Sequence, residues 1–81
     1  MQKEELLSAL TTLFRDVLEN DAIVLTDETT ANDIEEWDSL NHIQLVVAVE
    51  KHFNIRFTAK EIQSWKNIGS LILDIQKKQT N

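Results

Sequence analysis

One glycine and no proline in 81 residues leave this chain few means of reversing direction sharply. An all-β fold must turn every few residues and draws on those two residue types to do it, so their scarcity predicts an all-α fold. The same scarcity excludes glycine-rich phosphate loops and dinucleotide fingerprints, while the absence of cysteine excludes disulfides, thiol nucleophiles and cysteine-ligated zinc. Cysteine usage therefore says nothing of compartment. A chain of this length makes one small domain, residues 1–81, that buries only ~60–65% of its unfolded surface and has little left to wall in a substrate cleft. That argues against an enzyme. The longest unbroken apolar stretch, Leu45 to Val49, is far below the ~20 residues that span a bilayer, and the N-terminus lacks the basic, apolar, small-residue pattern of a signal peptide. A soluble, cytoplasmic protein with no membrane partner is expected.

Four helices are predicted, over about 3–19, 38–53, 58–65 and 67–78. In the first, Leu6, Leu10, Leu13 and Val17, flanked by Leu7, Phe14 and Leu18, recur at helical spacing and make one wide stripe. Residues 20–38 show no sustained period and read as a long loop pinned to the core by Ile23, Leu25, Ile34 and Trp37; a loop this long in a compact domain is commonly functional. The second helix begins at Asp38 or Ser39, with Leu40, Ile43, Val46, Val47 and Phe53 expected on its buried side. Asn41, Gln44, Ala48, Lys51 and His52 are expected on the side that meets solvent or a partner. Thr58-Ala59-Lys60-Glu61 has the form of a capping box, with Phe57 and Ile62 at staple spacing, so a short third helix starts there. Asn67 can cap the last helix, whose inner stripe is Ile68, Leu71, Ile72 and Ile75.

The formal charge of −6 is distributed unevenly. Asp21, Asp27, Glu28, Asp33, Glu35, Glu36 and Asp38 fall in the long loop with no base among them, whereas six of the eight bases lie beyond residue 50. The loop acids read either as a solvated segment or as a docking surface for a basic partner. A pI near 4.7 argues against nucleic acid, which is bound through a patch of Lys and Arg on one face.

Little chemistry is available to the side chains. His42 and His52 are ten residues apart on one helix, about 15 Å along its axis at ~1.5 Å per residue, and cannot share a metal. The carboxylates of Asp33, Glu35, Glu36 and Asp38 lack the central glycine and closing glutamate of a calcium loop. None of the four serines sits in a nucleophile elbow. Ser39 stands out by position instead, at a helix mouth where free N–H groups and partial positive charge would stabilise a phosphodiester on its hydroxyl.

Glu36-Trp37-Asp38-Ser39-Leu40, leading into Ile43, Leu45, Val46, Ala48, Glu50 and Phe53, resembles the acyl and peptidyl carrier proteins. The likeness covers nearly the whole chain, in the order helix, long loop, Asp-Ser-Leu-initiated helix, short helix and final helix. It implies a four-helix bundle of acyl-carrier-protein type, right-handed-turning and monomeric, that does not catalyse. It further implies 4′-phosphopantetheine, transferred from coenzyme A onto Ser39 by a phosphopantetheinyl transferase, as an arm that holds acyl or aminoacyl groups as thioesters. Loading and acceptor enzymes are then the other partners.

By the same likeness Asp38 is the acidic neighbour of the serine, Leu40 an apolar contact for partner enzymes, and Phe53 the core aromatic that closes the second helix. Departures from the housekeeping fatty-acid pattern lie on the outward face of that helix, where Asn41 and Gln44 replace acids. A partner is therefore expected to approach from the side of Glu35, Glu36, Trp37 and Asp38, touching Leu40, Asn41 and Gln44. Trp37 ahead of Asp-Ser-Leu resembles stand-alone carriers of D-alanine, polyketide, nonribosomal-peptide and polysaccharide-precursor systems. Trp65 occupies a place where the family has a smaller aliphatic residue, near a cargo groove bounded by Val47 and Ile62; its indole either packs as core on Ile62, Ile68 and Val47 or fills that groove. The rival to a carrier is a small acidic helical interaction module with no prosthetic group.

Overall fold

A computed structural model describes residues 2–79. Four α-helices are present, α1 (Lys3–Val17), α2 (Ser39–Phe53), α3 (Ala59–Ser64) and α4 (Ile68–Gln79), with one 3-10 turn at Ala31–Asp33 in the long α1–α2 loop. Among the described residues there is no β-strand. The predicted helix starts at 38, 58 and 67 each fall one residue early because those residues are the caps. Asp38 accepts the Asn41 N–H at 2.9 Å, Thr58 and Glu61 form the reciprocal capping box, and Asn67 Oδ1 accepts the Ser70 N–H at 3.0 Å.

Two helices end without glycine. Glu19, just past α1, and Asn54, just past α2, take left-handed backbone angles of φ 53° and 56°, and the amides that follow them reach back to Arg15 and Glu50 carbonyls. α1 consequently stops at Val17 rather than at residue 19. The chain's one glycine serves elsewhere, in the first turn of α4. There the Ile68 and Gly69 amides donate to the carbonyls of Thr29 and Asp27, both at 2.9 Å, so the long loop satisfies donors that a helix start leaves open. A Cβ on Gly69 would stand 3.2 Å from the Asp27 carbonyl oxygen, which is why this close approach is made by glycine.

The core is built from Leu6, Leu10 and Phe14 of α1, Leu45 and Val49 of α2, and Ile68, Leu71, Ile72 and Ile75 of α4. Ile23, Leu25 and Ile34 bury beneath the loop as expected, and Trp37 packs against the cluster from its edge. The expected inner face of α2 is corrected. Val46 is buried as expected and Phe53 is partly covered, but Leu40, Ile43 and Val47 are 67%, 63% and 44% exposed, and Leu45 and Val49 are buried in their place. The run from Leu45 to Val49 is apolar right around the helix, so its spacing admits several inner faces, and contact with α1 selects one. On the side expected to be polar, Gln44, Lys51 and His52 are exposed, while Asn41 and Ala48 are half-buried.

α3 buries no residue fully. It is fastened by polar contacts: Glu61 pairs with Lys78 at 3.0 Å, the Trp65 indole donates to Asp74 at 2.6 Å, and Glu50 of α2 accepts the Phe57 amide at 2.8 Å.

Candidate functional site

Ser39 is the first residue of α2 and is exposed. Its Oγ makes no hydrogen bond to any described residue. Ser64 and Ser70 differ in this, since their hydroxyls bond to the Glu61 carbonyl at 2.7 Å and to Asn67 Oδ1 at 3.2 Å. Ser8, the remaining serine, lies in the middle of α1, where the backbone amides are already used by the helix. At the mouth of α2 the Asp38 carboxylate takes the Asn41 amide and the Asp38 carbonyl takes that of His42, which leaves the Ser39 and Leu40 amides at the open end. Those donors and the positive end of the helix suit a phosphate ester on Ser39 Oγ, so the residues present fit a phosphate-linked group.

The approach to that mouth is held by side chains. Asn41 Nδ2 donates to the Glu36 carbonyl at 2.7 Å, and Glu36 Oε2 accepts from Asn20 Nδ2 at 3.0 Å. Trp37 sets its ring edge-to-face on Phe14, centroids 5.0 Å apart, and its Nε1–H donates to His42 Nδ1 at 3.0 Å. Much of the loop's acidity is engaged structurally. Asp27 pairs with Lys3, Asp33 caps the 3-10 turn through Thr30, and Asp38 caps α2. Glu35, by contrast, is exposed and makes no bond to any described residue.

The residues expected at partner contacts therefore divide. Glu35, Asp38, Leu40 and Gln44 present exposed side chains around Ser39, whereas Glu36, Trp37 and Asn41 also brace the helix mouth from within. Ile43 and Val47 extend the exposed apolar strip from Leu40 down α2. Spacing had put these three side chains inside the protein.

The residues expected at a cargo groove do not together line either of the two hollows that Val47 and Trp65 border. Val47 borders a surface hollow with Glu50, Lys51, Asn54, Ile55 and Arg56. Trp65 lies elsewhere, edge-to-face on Phe57 at 4.8 Å and on His42 at 6.2 Å. With Trp37, His42 and Leu71 it lines a separate hollow of about 90 Å³. Half-buried Ile62 borders neither. His42 is the residue that spacing missed; the available signal was the indole donor five positions earlier. Burial pushes its imidazole below the ordinary value of 6.5.

A four-helix bundle that offers one unbonded hydroxyl at the mouth of a capped helix, with an exposed apolar strip leading from it, defines a small carrier-type domain. The chain belongs to the family described as phosphopantetheine attachment site, whose model matches residues 8–75. It is similar to the acyl carrier protein of Acidothermus cellulolyticus (strain ATCC 43068 / DSM 8971 / 11B), with 28% identity over 72 residues, 89% of this chain and 86% of that protein. It is also similar to the solution NMR structure of holo acyl carrier protein from Geobacter metallireducens. That likeness has a TM-score of 0.86 and 50% identity, covering 91% of this chain and 85% of the other. The protein is an acyl-carrier-type domain whose prosthetic group is covalently attached 4′-phosphopantetheine. Among the described residues no helix is long and apolar enough to cross a membrane.

Proposed function

We propose that Ser39 carries the arm and that the protein passes acyl or aminoacyl groups between separate enzymes of a biosynthetic pathway, acting as a monomer with no catalytic residue of its own. The observation that carries this reading is the exposed, unbonded Ser39 hydroxyl at the open amides of α2. The bound group supplies a flexible arm ending in a thiol that holds the cargo as a thioester. This chain's part is to fix the attachment point, which the Asp38 cap and the Asn41 bond to the loop do, and to present a docking surface beside it.

That surface runs along Leu40, Ile43, Gln44 and Val47, with Glu35 and Asp38 at its upper end. It fits a partner with an apolar contact strip and a few basic groups near its active-site entrance. Cargo is short or polar and stays outside the bundle, because the hollow beside Trp65 is only about 90 Å³. The test is intact-mass analysis of protein treated with coenzyme A and a promiscuous phosphopantetheinyl transferase. One added phosphopantetheinyl group is expected, and none on the Ser39→Ala variant; a group gained by that variant refutes Ser39. No gain on the unaltered protein would favour an interaction module instead.

A further inference from the structure

We propose that His42 is a second holder of the prosthetic group, its Nε2–H donating to an oxygen of the phosphodiester on Ser39; this rests on the assignment of the arm to Ser39. An indole Nε1–H can only donate, so the imidazole nitrogen it meets at 3.0 Å is the lone-pair nitrogen, and the ring proton of His42 sits on Nε2. The two ring planes are within 21° of each other and their centroids 6.0 Å apart, and the N–H···N bond between the rings engages Nδ1 while leaving Nε2 unengaged. Nε2 has no hydrogen-bond partner among the described residues. His42 is half-buried but its Nε2 is open to solvent, so this N–H, held in one orientation by the indole, is free to take an incoming acceptor.

The group on Ser39 is a candidate acceptor. Residues three apart on a helix share a flank, their Cβ atoms ~5–6 Å apart, and helical side chains lean toward the N-terminus, which directs His42 back toward Ser39. Ala31, Trp37, Asp38, Ser39 and His42 line one open hollow at the mouth of α2. Around the imidazole, Asp38 shares this hollow and Lys66 lines the smaller one behind it, while Asp74 of α4 is engaged by the Trp65 indole. Phe14 of α1 backs Trp37 with an uncharged ring, and the Glu36 carboxylate is held by Asn20. None of these bonds to Nε2. A phosphodiester monoanion placed there favours the protonated imidazole and raises its titration midpoint.

The experiment compares the 15N-labelled apo protein with the same protein after treatment with coenzyme A and the transferase, checked by intact mass. Histidine side-chain 1H–15N and phosphodiester 31P spectra are then followed over roughly pH 5–8. The His42 midpoint should rise by roughly half a pH unit or more on modification, while that of His52, ~15 Å further along α2, stays put. The 31P resonance should step at the His42 midpoint, and His42→Phe protein that has taken up the group should lack that step. Equal His42 midpoints in the two forms, with no 31P step, overturn the proposal even if Ser39 is modified. The unaltered protein alone gives this comparison, so the proposal does not depend on the variant folding. Absence of the mass gain removes the Ser39 assignment and the proposal together.

Discussion

Trp37 Nε1 donates to His42 Nδ1 at 3.0 Å, joining the residue before the cap of α2 to the residue three places beyond its first. Ser39 lies inside that bridge. With the Asn41 side chain held by the Glu36 carbonyl and the Trp37 ring seated on Phe14, the helix mouth is fixed on its loop side and on its core side. If Ser39 carries the arm as proposed, this holds its attachment point in one place for every enzyme that must reach it.

Burial lowers the His42 titration below 6.5, and the sign of the consequence follows from which state takes the proton first. As pH falls, the unfolded chain binds a proton near its ordinary value while the folded protein resists, so folding stability is complete above 6.5 and declines below it until the folded value is passed. Protonated Nδ1 can no longer accept from Trp37. Urea midpoints measured across this range should fall on acidification, and His42→Phe should flatten the dependence. A profile equally steep in the variant would assign the effect to other groups.

Gly69→Ala should destabilise the fold by about 1–3 kcal/mol, the usual cost of overpacking a tight contact. The new methyl would press on the Asp27 carbonyl that accepts the Gly69 amide, and both partners are backbone or cap atoms with little freedom to retreat. A lowered urea midpoint, with faster amide exchange at Thr29 and Gly69, is the expected result. An unchanged midpoint would mean that the loop yields freely.

Three helix starts were legible because caps are local: Asp38, Thr58 and Asn67 announce themselves within four residues of chain. The place of Ser39 in the first turn of α2 was legible for the same reason. The inner face of α2 was not, since an apolar run such as Leu45 to Val49 carries no phase of its own and takes it from α1. His42 was hidden because its role depends on a ring five residues earlier that folds back across the helix start. The loop acids could be counted but not sorted, and only the fold reveals that Asp27, Asp33 and Asp38 hold structure while Glu35 is left to solvent.

Acid should loosen α3 before it unfolds the bundle. The Thr58 backbone N–H, followed by Lys78, holds Glu61 below its ordinary value of 4.5, so the capping box and the ion pair contribute fully above that value and are lost as pH falls through the lowered one. With no fully buried residue, α3 has little else to hold it. Amide shifts of Thr58 to Ser64 should move in this range ahead of those of α1. Glu61→Gln should move them at neutral pH; coincident shifts throughout the chain would refute local loosening.

Docking should depend on the exposed strip of α2 as well as on loop charge. Leu40→Ala and Ile43→Ala remove side chains that touch solvent, so stability should change by no more than ~0.5 kcal/mol, while kcat/KM for modification by the transferase falls several-fold or more. Glu35→Gln should act mainly through association rate, and its effect should shrink as salt screens charges beyond ~8–10 Å. If neutralising Glu35 is costly and both alanine variants are silent, the apolar strip is not the contact.

On the proposed reading, Trp65 should limit cargo length. The hollow it lines with Trp37, His42 and Leu71 is about 90 Å³, well below the ~300 Å³ at which pockets that enclose a ligand begin. Opening more space would break the edge contact with Phe57 and the 2.6 Å bond from the indole to Asp74, together with the dispersion contacts of a packed ring. Converting holo protein to acetyl and octanoyl thioesters should therefore move amide resonances near Ser39 in both cases and leave those of Trp65, Ile62 and Leu71 in place. Large shifts at these three with octanoyl alone would refute the limit. Trp65→Ala should lift it, producing those shifts, at a cost of about 2–3 kcal/mol because the indole is half-buried rather than enclosed. Trp65→Phe separates the two contributions: it keeps most of the ring volume and loses only the bond to Asp74, so it should destabilise less and still keep octanoyl outside.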